Sequence, residues 1–313
     1  MRDRADRTRS LLILATNASV ATAALLIIVK FGAWLITGSL SILASLVDSL
    51  LDVAASIINM VAVRYSLKSP DDDHQFGHGK AESLAGLAQS AFIGGSAFFI
   101  IIQTIERFTK PQPIEDVAIG VWIMAFAILA TTILLLIQRH VIKHTGSTAI
   151  KADLLHYSTD LLTNVSTIIA ILLTAKGWHI VDPLFALGIA LYVLYSAWNI
   201  GFEAVQTLMD RQLPARVRET ICDIVLAHPK VLGMHDLRTR KSGQINMIQL
   251  HIEFDDQMEL LMAHTIAKEV EAKIEKAFPG SDIIIHQDPI GKACKLKTDE
   301  PCVDKKIKGK EGR

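Results

Sequence analysis

Cysteine is nearly missing from this chain: Cys222, Cys294 and Cys302 are the only three in 313 residues. An odd count without a C-x-x-C pair excludes a disulfide framework and a thiolate zinc finger, and leaves reduced cytosolic thiols as the expectation. Net charge is absent too. Basic and acidic residues number 32 each, so no global field points to a nucleic-acid partner. Charged residues make up only 20% of the chain and aromatics 6%. Hydrophobic residues reach 50%, and mean hydropathy is +0.35. A soluble globular protein is rarely so apolar, whereas a membrane protein with an attached polar domain fits. The H-E-x-x-H motif is absent and no nucleophile is indicated, which argues against an enzyme.

Six stretches are long enough to cross a hydrocarbon core of about 30 Å. They are Leu11–Ile36, Leu40–Leu67, Ala81–Ile105, Val117–Gln138, Ala149–Ala175 and Pro183–Leu208. The first is too long for a signal-peptide core despite the arginines before it. The fifth is amphipathic from Lys151 to Asn164, so its polar end should face other helices or a cavity. Lysine and arginine concentrate in the N-terminal segment and in the loops after spans two and four. That bias predicts a multi-pass inner-membrane protein with both termini in the cytoplasm.

From Arg211 onward the pattern becomes that of a soluble domain. Residues 214–227 and 258–277 read as helices, with Pro214 near the start of the first. Residues 234–240, 244–254 and 281–286 read as strands, the first two joined at Ser242-Gly243. The order α-β-β-α-β predicts a small open α/β sandwich. The expected organisation is a cytoplasmic segment over 1–10, a six-helix transmembrane domain over 11–208 and a cytoplasmic α/β metal-binding domain over 209–291. The tail, 292–313, is expected to be disordered, its excess of positive charge facing membrane lipid.

The chemistry lies in the apolar spans. Asp48 and Asp52 are four residues apart in the second, and His156 and Asp160 four apart in the fifth. That spacing places each pair on one helical face, one turn apart. Each pair belongs to a polar stripe: Ser45, Asp48, Ser49, Asp52, Ser56 and Asn59 on one helix, and Asp153, His156, Tyr157, Asp160, Asn164 and Thr167 on the other. Polar stripes on apolar helices turn toward each other, and acids at membrane depth mark functional sites. Hydrogen bonding within the bundle explains the serines and asparagines but not three clustered carboxylates. No intramembrane arginine neutralises them, and Lys30, near the outer end of span one, can snorkel outward. Three carboxylates and one imidazole suit a tetrahedral borderline ion: Zn²⁺, with Cd²⁺ and Fe²⁺ as further candidates. Because such ligands bind metal deprotonated, protons become the counter-ion, with His156 as the natural exchanger.

Two other clusters have ligand chemistry. Asp71, His74 and His78 have metal-ligand spacing in the loop after span two, where a solvated loop that caps span three is the plain alternative. His235, His251, His264, His286 and Asp288 gather in the strands and second helix of the soluble domain, where any one of them alone would be structural.

Together the six spans, the two four-spaced pairs, the stretch Phe76-Gly77-His78-Gly79-Lys80-Ala81-Glu82 and the run Asp-Leu-Arg-Thr-Arg at 236–240 resemble the cation diffusion facilitators. The likeness runs to about Ile290. It implies a homodimeric divalent-metal/proton antiporter with a metallochaperone-like cytoplasmic domain. It implies a transport site at Asp48, Asp52, His156 and Asp160, and a loop site at Asp71, His74 and His78. A binuclear cytoplasmic site would fall on His235, His251, His264, His286 and Asp288, with the Gln287 carbonyl nearby. A membrane-proximal charge interlock would fall on Lys80 and Asp210. Many zinc-selective relatives carry histidine where this chain has Asp48, which leaves the choice among Zn²⁺, Cd²⁺ and Fe²⁺ open. The expected function is proton-coupled export of divalent metal. The rival is a membrane metal sensor or scaffold that binds metal without moving it.

Overall fold

The computed structural model describes residues 2–38, 40–109, 117–174 and 181–290. The tail over 292–313, with Cys294 and Cys302, lies outside the described residues. The chain divides into two compact units, a helical one over Asp6–Leu208 and a second to which the residues from Met209 onward belong.

Six long helices build the first unit: α1 (Arg2–Thr37), α2 (Leu40–Ser66), α3 (Lys80–Thr109), α4 (Val117–Thr145), α5 (Thr148–Thr174) and α6 (Val181–Leu208). Helix α1 already starts at Arg2, so the arginine-rich segment is the first part of a helix and not a separate element. Among the described residues, α1, α2, α3, α4 and α6 are each long and apolar enough to cross a membrane. Helix α5 is the exception because Lys151, Asp153, His156 and Asp160 interrupt its apolar run. It is nonetheless wrapped by its neighbours, with Ile150, Ala152, Leu155 and Tyr157 almost fully buried.

Small residues and buried polar contacts hold this unit together. At Gly201 of α6 an added Cβ would lie 2.8 Å from Ser90 Oγ of α3, so any larger residue would make the Ser90 hydroxyl move aside. The lower half of α5 is tied to four helices. The fully buried Asp153 accepts hydrogen bonds from Ser19 Oγ (2.5 Å), Gln138 Nε2 (2.7 Å) and Gln89 Nε2 (3.1 Å). One residue past His156, the Tyr157 hydroxyl donates to the Ser19 carbonyl at 3.2 Å and lies 2.8 Å from Ser56 Oγ of α2. A buried carboxylate left without donors would cost several kcal/mol, so this set fixes the rotation of α5 about its axis.

The second unit contains α7 (Ala215–Leu226), β1 (Gly233–Ser242), β2 (Ile245–Phe254), α8 (Leu260–Ala277) and β3 (Asp282–Pro289). This is the expected α-β-β-α-β order. The strands form one sheet in the order β1-β2-β3, with β1 antiparallel and β3 parallel to β2. The hairpin turns at Gly243, whose φ of +58° supplies the left-handed first position of a two-residue turn. Alternation then sorts the side chains. Ile248, Leu250, Ile252 and Phe254 join Ile221 and Val225 of α7 and Ile266, Val270 and Ile274 of α8 in one core. Residues at the odd positions of β2 point to the other face. Cys222 is buried in this core.

Leu250→Ala should lower the stability of this unit by about 2–5 kcal/mol, because a side chain 1% exposed leaves a cavity. Denaturant unfolding of the full chain, followed by a probe in the sheet, measures it. A loss below about 1 kcal/mol would mean that the site collapses freely.

Candidate metal centres

In the helical unit, α2 and α5 bring Asp52, His156 and Asp160 together, with one ligand atom from each lying within 4.8 Å of the others. His156 Nε2 stands 3.0 Å from Asp52 Oδ1 and 3.9 Å from Asp160 Oδ2. The imidazole therefore bridges carboxylates from both helices. Asp48 stands apart from this trio: it lies one turn before Asp52 on α2 and is exposed in the single chain. Lys30 does not snorkel outward. Its Nζ donates to Ser49 Oγ of α2 at 2.6 Å and to the Ser45 carbonyl at 3.2 Å, alongside Asp48 and Asp52.

In the loop between α2 and α3, Asp71, His74 and His78 also converge within 4.8 Å. Asp71 organises the turn. Its Oδ1 accepts the His74 backbone N–H at 2.7 Å and lies 3.3 Å from His74 Nδ1, while its Oδ2 lies 3.2 Å from His78 Nε2. The His78 ring is buried under Tyr65, with centroids 4.5 Å apart, whereas Asp71 and His74 are exposed. The His74 N–H, aided by both imidazoles, holds the Asp71 carboxyl below its ordinary value of 3.8.

In the second unit the strand register assembles the cluster. His235 pairs with His251 across β1 and β2, and His251 pairs with His286 across β2 and β3. All three therefore share the sheet face away from α7 and α8. Asp288, two residues beyond His286 on the same face, collects them. Its Oδ2 lies 2.7 Å from His251 Nδ1 and 3.3 Å from His235 Nε2, and its Oδ1 lies 3.2 Å from His286 Nε2. Sequence reasoning missed Glu253, whose Oε1 is 3.2 Å from His235 Nδ1. Its signal was its position two residues after His251, on the same face of β2. His264 does not join. It is exposed on α8, in the layer that covers the opposite face of the sheet. The two residues of the expected interlock each have partners within their own unit: Lys80 Nζ donates to the Leu208 carbonyl at 3.3 Å, and Asp210 Oδ2 lies 3.1 Å from Arg240 Nη1.

Residues 17–209 match the family model for the cation efflux transmembrane domain, and residues 213–290 match that for the cation efflux protein cytoplasmic domain. The cation-efflux pump FieF of Salmonella schwarzengrund (strain CVM19633) is 52% identical over 275 residues, covering 88% of this chain and 92% of the relative. FieF of Salmonella choleraesuis (strain SC-B67) gives the same identity and coverage. A solved chain of CzrB is 30% identical and covers 25% of this chain and 99% of its own, with a TM-score of 0.25.

Asp71→Asn should loosen the loop at pH 7, seen as faster amide exchange over residues 70–79 by mass spectrometry. The sign follows from the depressed carboxyl. The ionised Asp71 orders the turn at any pH above 3.8 and loses that role as the pH falls through its lower folded value. The gap between wild type and variant should therefore close only below 3.8. Equal exchange at pH 7 would remove Asp71 as the organiser.

Proposed function

Because this chain belongs to the cation efflux family, whose members are transporters and not enzymes, we propose that it is a proton-coupled antiporter that exports divalent metal from the cytoplasm. The observation that carries this reading is the trio Asp52, His156 and Asp160, drawn from two helices that face each other in an apolar bundle. A cation offsets the cost of keeping carboxylates there. Two carboxylates and an imidazole are donors for a borderline dication, Zn²⁺ first, with Cd²⁺ and Fe²⁺ as further candidates. Asp48, one turn along α2, completes a four-ligand set when α2 shifts against α5.

Coordination needs a neutral imidazole and ionised carboxylates, so metal entering the site expels protons and protons expel metal. A proton gradient across the inner membrane then drives the exchange, with both termini of the chain in the cytoplasm. The loop trio of Asp71, His74 and His78 is a second metal position. The open sheet face with His235, His251, His286 and Asp288 is a third. Metal there draws two protomers of a homodimer together and biases the membrane helices between inward- and outward-open states.

The test is uptake of Zn²⁺, Cd²⁺ and Fe²⁺ into vesicles containing the purified chain under an imposed pH gradient. Asp52→Ala should cut flux by more than the roughly 10–100-fold that loss of a supporting residue costs. Metal bound without pH-driven flux would favour a sensor or scaffold and overturn the antiport reading.

A further inference from the structure

Lys30 is the one lysine whose position in α1 makes it expensive and whose bonds direct it inward. It lies seven residues before the end of α1 at Thr37, about 10 Å along the helix axis. A lysine stem can carry its ammonium toward the water at a helix end. This one crosses sideways instead. The amine donates to Ser49 Oγ at 2.6 Å and to the Ser45 carbonyl at 3.2 Å, both on α2 and both on the polar stripe that carries the acids. Ser49 is buried and stands between Asp48 and Asp52 in sequence. Asp48 and Asp52 lie on the same stripe of α2 as the two groups that accept from the amine.

We infer that Lys30 is a tethered counter-cation of the transport site, and this rests on the quartet reading above. With no metal bound, its ammonium offsets part of the carboxylate charge, which would otherwise be uncompensated at membrane depth. When a dication arrives, the same ammonium repels it, because like charges held close raise each other's energy. As an ammonium, Lys30 has no lone pair to offer and is not a ligand. It weakens binding without removing a donor, which favours release, and a transporter needs release as much as capture. The hydrogen bonds to Ser49 and Ser45 set the distance. They hold the positive end against α2, so a movement of α2 carries the amine together with Asp48 and Asp52.

The test uses the full-length protein with Cd²⁺ as probe. Binding is assigned to the membrane site as the part lost in Asp52→Ala. Lys30→Met keeps the stem and removes the charge. It should tighten Asp52-dependent Cd²⁺ binding by about tenfold and slow turnover in vesicles. Lys30→Arg, which keeps the charge, should restore weaker binding and faster turnover. Unchanged or weaker affinity in Lys30→Met overturns the inference, and so does an arginine variant that behaves like the methionine one. Should Lys30→Met fail to fold, Lys30→Cys alkylated with 2-bromoethylamine returns an ammonium to an already folded chain. Affinity should fall on alkylation, and an unchanged value is equally decisive against the inference. If Asp52→Ala leaves bound Cd²⁺ untouched in the wild-type background, the quartet reading fails instead.

Discussion

Charge at membrane depth is the constraint on which the helical unit depends. An ionised group in an apolar bundle must find a partner, and the partners available are on neighbouring helices. That requirement turns the stripe of α2 toward the stripe of α5 and places Asp52 beside His156. It also gathers Ser19, Gln89 and Gln138 around Asp153, one turn before His156 on α5. The two arrangements differ in kind. Asp153 is surrounded by neutral donors and serves as an anchor. Asp52, His156 and Asp160 instead face one another, acid against imidazole.

The second unit reaches a ligand cluster by a different physical route. Strand pleating puts alternate residues on opposite faces, and cross-strand pairing aligns three histidines in a row. The apolar positions of the same strands build the core with α7 and α8. The polar face is thus free of any duty in holding the unit together. Asp288 lies close to the three imidazoles and Glu253 close to one. A cation at that face would relieve the crowding of acids and rings without disturbing the core.

Much of this was readable from residue order. The spans followed from the lengths of apolar runs, and α5 stood out through its polar half. The α-β-β-α-β pattern followed from periodicity, and the hairpin from Ser242-Gly243, whose glycine supplies the left-handed turn position. The four-residue spacings gave the faces of α2 and α5. Less legible were the residues whose role depends on a neighbour distant in sequence. Lys30 looked like a snorkelling lysine because nothing in α1 reveals that Ser49 stands opposite. Glu253 carried no sign of its own, because only the register sets it against His235.

Residue order by itself determined which helices and strands form, and that Asp52, His156 and Asp160 each lie on a polar face, because those properties follow from local spacing. Only the tertiary structure decided which faces meet. It grouped Asp52 with His156 and Asp160 while leaving Asp48 a turn away. It placed His264 on the helix layer, across the sheet from His235, His251 and His286. It drew Lys30 onto α2. These are distances between elements, set by how helices pack and strands pair, and no periodicity within a single element encodes them.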